Sequence, residues 1–179
     1  MCKLINPEEV KQRAEDREFI LEAVKQQGKL LDYVSPKLQD DREVVLAAVT
    51  QDGEALEFSS EQLKDDKEIV MQAVTKNGWT ACYVSERLSN DKEVILEAAK
   101  KDGQALYYAS PKLRDDKEVV LEAVKKKGLI LKYASKRLRA DKDIVTEAIK
   151  QDKRAYGFIA EEISQEEWLK QLIEDKTEA

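Results

Sequence analysis

One phrase returns every 25 residues along this chain, so the chain can bury its apolar face only by stacking copies of one small unit. Asp16, Asp41, Asp66, Asp91, Asp116 and Asp141 open six copies, and no insertion breaks the register. The second copy begins Asp41-Arg42-Glu43-Val44-Val45-Leu46-Ala47-Ala48-Val49, passes Gly53, continues Leu56-Glu57-Phe58-Ser59-Ser60 and closes at Leu63.

The first half of each copy predicts a helix. Asp40 to Glu43, Asp65 to Glu68, Asn90 to Glu93 and Asp115 to Glu118 have capping-box spacing, and acids suit the positive end of a helix. Gly28, Gly53, Gly78, Gly103 and Gly128 read as left-handed C-terminal caps. Val44, Val45, Ala48 and Val49 form a wide apolar face, as expected of a helix with neighbours on several sides. Ala23, Ala48, Ala73, Ala98, Ala123 and Ala148 recur in every copy, and small size there lets adjacent helices approach.

The second half predicts a shorter helix. Leu31, Leu56, Leu106 and Leu131 each precede an aromatic by two residues; copies three and six carry Ala81 with Tyr83 and Tyr156 with Phe158. A serine follows at 35, 60, 85, 110 and 135, twice before proline, which suits the start of a new helical turn.

At the ends, Asn6-Pro7-Glu8-Glu9 opens a helix outside the repeat, and Ser164-Gln165-Glu166-Glu167 reads as a capping box before Trp168, Leu169, Leu172 and Ile173. Copy six has Lys153 for the glycine and Ala140 for the expected cap. The fold class is therefore all-α: an α-solenoid of six 25-residue two-helix repeats with terminal capping helices. Residues 1–15 are expected to be the N-terminal capping helix, 16–163 the repeats, and 164–179 the C-terminal capping helix with a frayed tail at Asp175–Ala179, in one structural domain.

Asp116-Lys117-Glu118-Val119-Val120-Leu121-Glu122-Ala123-Val124, then Gly128, Leu131-Lys132-Tyr133-Ala134-Ser135 and Leu138, resembles the short repeat known as domain of unknown function 4116. The resemblance spans about residues 16–163. It implies helical repeats and no catalytic residues, and it carries no established activity.

Composition narrows the function. The chain has no histidine and only two cysteines, Cys2 and Cys82, so the common zinc sites and catalytic triads are missing, and no disulfide framework is expected. A net charge of -6, with 31 basic residues interleaved among acids, speaks against nucleic acid as a partner and is too small an excess for nucleic-acid mimicry. No apolar run spans a bilayer, and Met1–Pro7 shows no signal-peptide core, so no membrane association and a cytoplasmic location are expected, with non-classical secretion left open.

The recurrent acids read as helix caps and solvated ion pairs rather than metal or catalytic sites, and the recurrent tyrosines as core packing with the hydroxyl at the surface. Departures from the repeat say more. One position after the glycine stand Lys29, Glu54, Trp79, Gln104, Leu129 and Arg154; three further on stand Asp32, Glu57, Cys82, Tyr107, Lys132 and Gly157. Residues three apart share a helix face, so Trp79, Cys82, Tyr107 and Leu129 form a candidate partner-binding stripe across copies three to five. The competing reading has Trp79 folding onto its neighbour to offset the small Ala81. Cys82 lacks surroundings that would lower its pKa for nucleophilic work.

The sequence thus points to a non-enzymatic protein-interaction module (scaffold, adaptor or inhibitor) that uses no cofactor or metal, binds another protein or peptide, and is expected to be a monomer. The alternative is a regulatory protein that binds a small molecule or peptide.

Overall fold

The computed structural model describes residues 5–174; Cys2 and the fraying expected at Asp175–Ala179 lie outside them. Helices are the only regular elements among the described residues, and they recur in tandem. A short helix, α1 (Pro7–Gln12), precedes α2 (Arg17–Gln26), α3 (Arg42–Gln51), α4 (Lys67–Lys76), α5 (Lys92–Lys101), α6 (Lys117–Lys126) and α7 (Lys142–Gln151). A last helix, α8 (Glu167–Glu174), follows. From α2 to α7, each helix packs on the next.

The shorter second helices differ from the long ones in backbone type. They are 3-10 turns at Gly28–Tyr33, Gly53–Phe58, Gly78–Tyr83, Gly128–Tyr133 and Lys153–Phe158 and an α-turn at Ala105–Tyr108 in the fourth copy, and further α-turns follow at Pro36–Gln39 and Glu86–Ser89 in the first and third. Six residues is long for an element with strained hydrogen bonds, so support comes from outside. The first five segments each pack on the next long helix and on the neighbouring segments, and Lys153–Phe158 packs on its own long helix and on Gly128–Tyr133. Just beyond each segment, the backbone bonds to the previous copy. Ser60 N–H donates to the Gln39 carbonyl at 3.0 Å and Ser135 N–H to that of Arg114 at 2.9 Å, with the same bond at Ser85 and Ser110.

The caps sit one residue later than expected. Asp41, Asp66, Asp91, Asp116 and Asp141 accept from the N–H groups two and three residues on, and Asp16 accepts from Phe19 N–H. Copy six therefore keeps its cap. The preceding residue has another task. Asp40, Asp65, Asn90 and Asp115 accept from the hydroxyls of Ser60, Ser85, Ser110 and Ser135 in the next copy, at 2.7 Å for Ser110 to Asn90. These bonds pull the carboxyls of Asp65 and Asp115 below their usual range, the serine hydroxyl being the largest cause. Ala140 and Ala160, one such spacing apart, lose acceptor and donor together.

The glycines are not left-handed caps, since none has a positive φ. They permit a close approach between copies. A Cβ on Gly53 would lie 2.6 Å from the Ala73 carbonyl oxygen, and one on Gly103 would lie 2.4 Å from that of Ala123. The glycine of one copy thus lies against the recurrent alanine of the next, backbone to backbone. Lys153 takes the corresponding place in the last copy and is exposed.

Between the layer of long helices and the layer of 3-10 segments runs one core. Val44, Val45, Ala48, Val49, Ala55 and Leu56, and their counterparts in the other copies, are almost all fully buried. At the ends, α1 buries Val10 and α8 buries Leu169. Helix α8 starts at Glu167, with the Glu166 carbonyl accepting from Leu169 and Lys170, so Glu166 holds the cap place assigned to Ser164. Tyr156, read as a core counterpart of Leu131, is 40% exposed.

Candidate partner-binding surface

In a 3-10 turn, residues i and i+3 eclipse. The first and fourth residues after each glycine therefore stack in two rows along one edge, and this edge changes character from copy to copy.

In the first two copies the edge is charged and engaged. Lys29 pairs with Glu54, which also accepts from Asn77 Nδ2 at 3.0 Å. Glu57 accepts from the Tyr83 hydroxyl at 2.9 Å. Burial chiefly, and then this carboxylate, push the Tyr83 hydroxyl pKa up.

From copy three the rows turn aromatic. The Trp79 ring meets Tyr108 edge-on, with centroids 5.7 Å apart and planes at 83°. Tyr107 meets Tyr108 at 4.9 Å and Tyr133 at 4.8 Å, both edge-on. Edge-to-face contact sets the positive rim of one ring against the negative face of the next. Four rings from three copies thus form one run. Trp79 is 37% exposed and Tyr107 48% exposed, the two largest apolar surfaces left open in the middle of the chain.

Of the four stripe residues, Trp79 and Tyr107 are joined through Tyr108. Cys82 is half-buried beside Tyr83; burial pushes its thiol pKa up, so it is a free thiol rather than a thiolate nucleophile. Leu129 is half-buried on the segment that packs against Ala105–Tyr108. Trp79 both packs on its neighbour and stays open.

Reading the departures did not find Tyr108 and Tyr133, the linking rings, because every copy carries an aromatic there and the position looks like scaffold. It also missed a shallow groove of about 410 Å³ between α2 and α3, lined by Lys25, Glu43, Leu46, Ala47, Thr50 and Gln51. At the equivalent positions copies four and five carry the ion pairs Glu97–Lys100 and Glu122–Lys125, each 2.6 Å. Copy two has Ala47 and Thr50 instead. That signal was in the sequence, on the long helix.

Among the described residues no three His, Cys, Asp or Glu side chains are grouped to hold a metal, and no helix is long and apolar enough to cross a membrane. Fold and surface together define an all-helical tandem-repeat protein. The model of the family called domain of unknown function (DUF4116) matches residues 16–64, 66–114 and 116–164, and the chain belongs to that family. Each match contains two long helices, α2 and α3 in the first. No curated protein and no solved structure matches the chain significantly.

Proposed function

We propose that this chain is a non-catalytic interaction module. In this reading it is an α-solenoid of six 25-residue units with a cap at each end, and it binds another protein or peptide on the 3-10 edge at copies three to five. The observation that carries the reading is the continuous run Trp79–Tyr108–Tyr107–Tyr133 with its two exposed members. Trp and Tyr are typical anchors of interfaces, where large rings give up water at little entropic cost. An otherwise highly charged surface makes such a patch more telling. Lack of histidine supports the non-catalytic part. The capping role rests on Val10 and Leu169, and on Lys142 Nζ, which lies 5.3 Å from the Trp168 ring centre where earlier copies pair with the next repeat.

The test is affinity purification from the native lysate, wild type beside a Trp79→Ala/Tyr107→Ala variant shown to be folded by circular dichroism. The expected result is a partner that accompanies the wild type and is lost with the variant. A partner held equally by both would remove the edge from the proposal, and no partner with either would remove the module reading.

A further inference from the structure

Two positions of the 3-10 edge carry acid in copy two and base in copy five, while Lys29 of copy one and Arg154 of copy six are both basic and are held by Glu54 and Asp152. At the fourth residue after the glycine it reads Asp32, Glu57, Cys82, Tyr107, Lys132 and Gly157. Just before the glycine stand Gln27, Asp52, Asn77, Asp102, Lys127 and Asp152, so copy two is acidic and copy five basic there as well. Glu57, Lys127 and Lys132 are exposed, and the aromatic run lies between them. Glu57 accepts one hydrogen bond, from Tyr83, which leaves carboxylate lone pairs for a further donor.

A patch that meets its own copy across a two-fold axis must be complementary to itself. This edge satisfies that condition in one orientation only. With copy order reversed, copy two faces copy five and copy three faces copy four, so acid meets base and ring meets ring. With copy order preserved, acid meets acid and base meets base. We propose that the occupant of this edge is a second copy of the chain, antiparallel, with the axis between copies three and four. Glu57 then faces Lys132 of the second copy, Asp52 faces Lys127, and the two Trp79–Tyr107 clusters meet at the centre. This rests on the reading of the edge as a partner surface.

Sedimentation velocity over a concentration series tests it. The wild type forms a reversible dimer with a dissociation constant in the micromolar range, as expected of a small interface. Glu57→Lys alone and Lys132→Glu alone each place like charges opposite one another twice, and raise the dissociation constant about tenfold or more. Mixing the two variants restores a dimer of wild-type affinity. The two substituted side chains then face each other with opposite charges at one contact, and the native pair of Glu57 with Lys132 forms at the other. That recovery separates a contact between chains from a folding defect. A wild type that stays monomeric throughout, or a mixture no tighter than its components, overturns the second-copy proposal. If the wild type is monomeric while Trp79→Ala/Tyr107→Ala loses a lysate partner, the proposal falls and the partner reading stands. If that double variant changes neither self-association nor capture, both fall.

Discussion

Two edges of the same repeat behave in opposite ways. At the start of the long helices, the basic residue of one copy bridges the cap and the next acid of the following copy, five times over. Arg17 holds Asp41 and Glu43, Arg42 holds Asp66 and Glu68, Lys67 holds Asp91 and Glu93, Lys92 holds Asp116 and Glu118, and Lys117 holds Asp141 and Asp143. On the 3-10 edge the corresponding positions change from ion pair to aromatic to base within the same length. The uniform edge repeats one contact between each copy and the next, and any copy serves. The variable edge is relieved of that task by the core and by the serine bonds to the previous copy, so its residues are free to be specific.

If that division holds, the largest penalty belongs to the shared positions. Gly103→Ala forces a Cβ against the Ala123 carbonyl, a backbone atom with nowhere to go. Overpacking of this kind costs roughly 1–3 kcal/mol. Gly157 has nothing within 4 Å of the Cβ it would gain and no positive φ. Gly157→Ala is therefore expected to be neutral or to stabilise by about 0.4–1 kcal/mol through the unfolded chain. Urea denaturation of the two variants decides it, and equal effects would break the distinction between shared and terminal glycines.

Tandem helical repeats were legible in the sequence because Asp16 to Asp141 and Ala23 to Ala148 keep one period. The backbone type of the second element was not. Gly-Glu-Ala-Leu-Glu-Phe suits a 3-10 turn or an α-turn equally, and packing on the next copy decides between them. The glycine misled because Gly after a helical run usually means a left-handed cap, whereas here its missing Cβ answers to a carbonyl 20 residues away. Doubling of the unit was readable and overlooked: Asp52, Asp102 and Asp152, with Ala55, Ala105 and Ala155, recur only in alternate copies, as the family matches do. At the candidate surface the departures pointed to Trp79 and Tyr107. The linking role of Tyr108 and Tyr133 needed ring geometry.

Next in size is the cap. Burial alone would raise the Asp91 carboxyl, but the Lys67 ammonium and the N–H groups of Val94 and Glu93 outweigh it and hold its pKa below the usual value. The same net lowering holds at Asp66, Asp116 and Asp141, and at Asp41, where the Arg17 guanidinium is the largest influence. A carboxyl that ionises more readily in the folded chain adds stability that is complete above its unfolded pKa, about 4, and is lost as pH falls through the lower folded value. Stability should therefore decline below about pH 4, where the caps protonate. Asp91→Ala should cost about 1 kcal/mol at neutral pH and flatten that decline. Thermal melts across the acid range measure both, and an unchanged acid slope would show that the caps do not drive it.

Smallest is the effect of one rung's cation. Lys67 reaches Asp91 at 2.8 Å and Glu93 at 2.7 Å, yet its side chain is 41% exposed and Glu93 is 65% exposed. Water screens such a pair, and holding a long side chain in place costs rotamer freedom, so exposed pairs contribute about 0–1 kcal/mol. Lys67→Met keeps the aliphatic stem and removes the charge. Its cost should lie in that range and shrink in high salt, where exposed charges are screened. The cap hydrogen bonds that Asp91 accepts from Glu93 N–H and Val94 N–H remain in this variant, so Asp91→Ala should cost more than Lys67→Met. The reverse order would mean that the ladder of ion pairs, and not the capping beneath it, sets how the copies stack. The uniform edge would then be electrostatic in origin, and its contrast with the variable edge would be one of charge rather than of backbone.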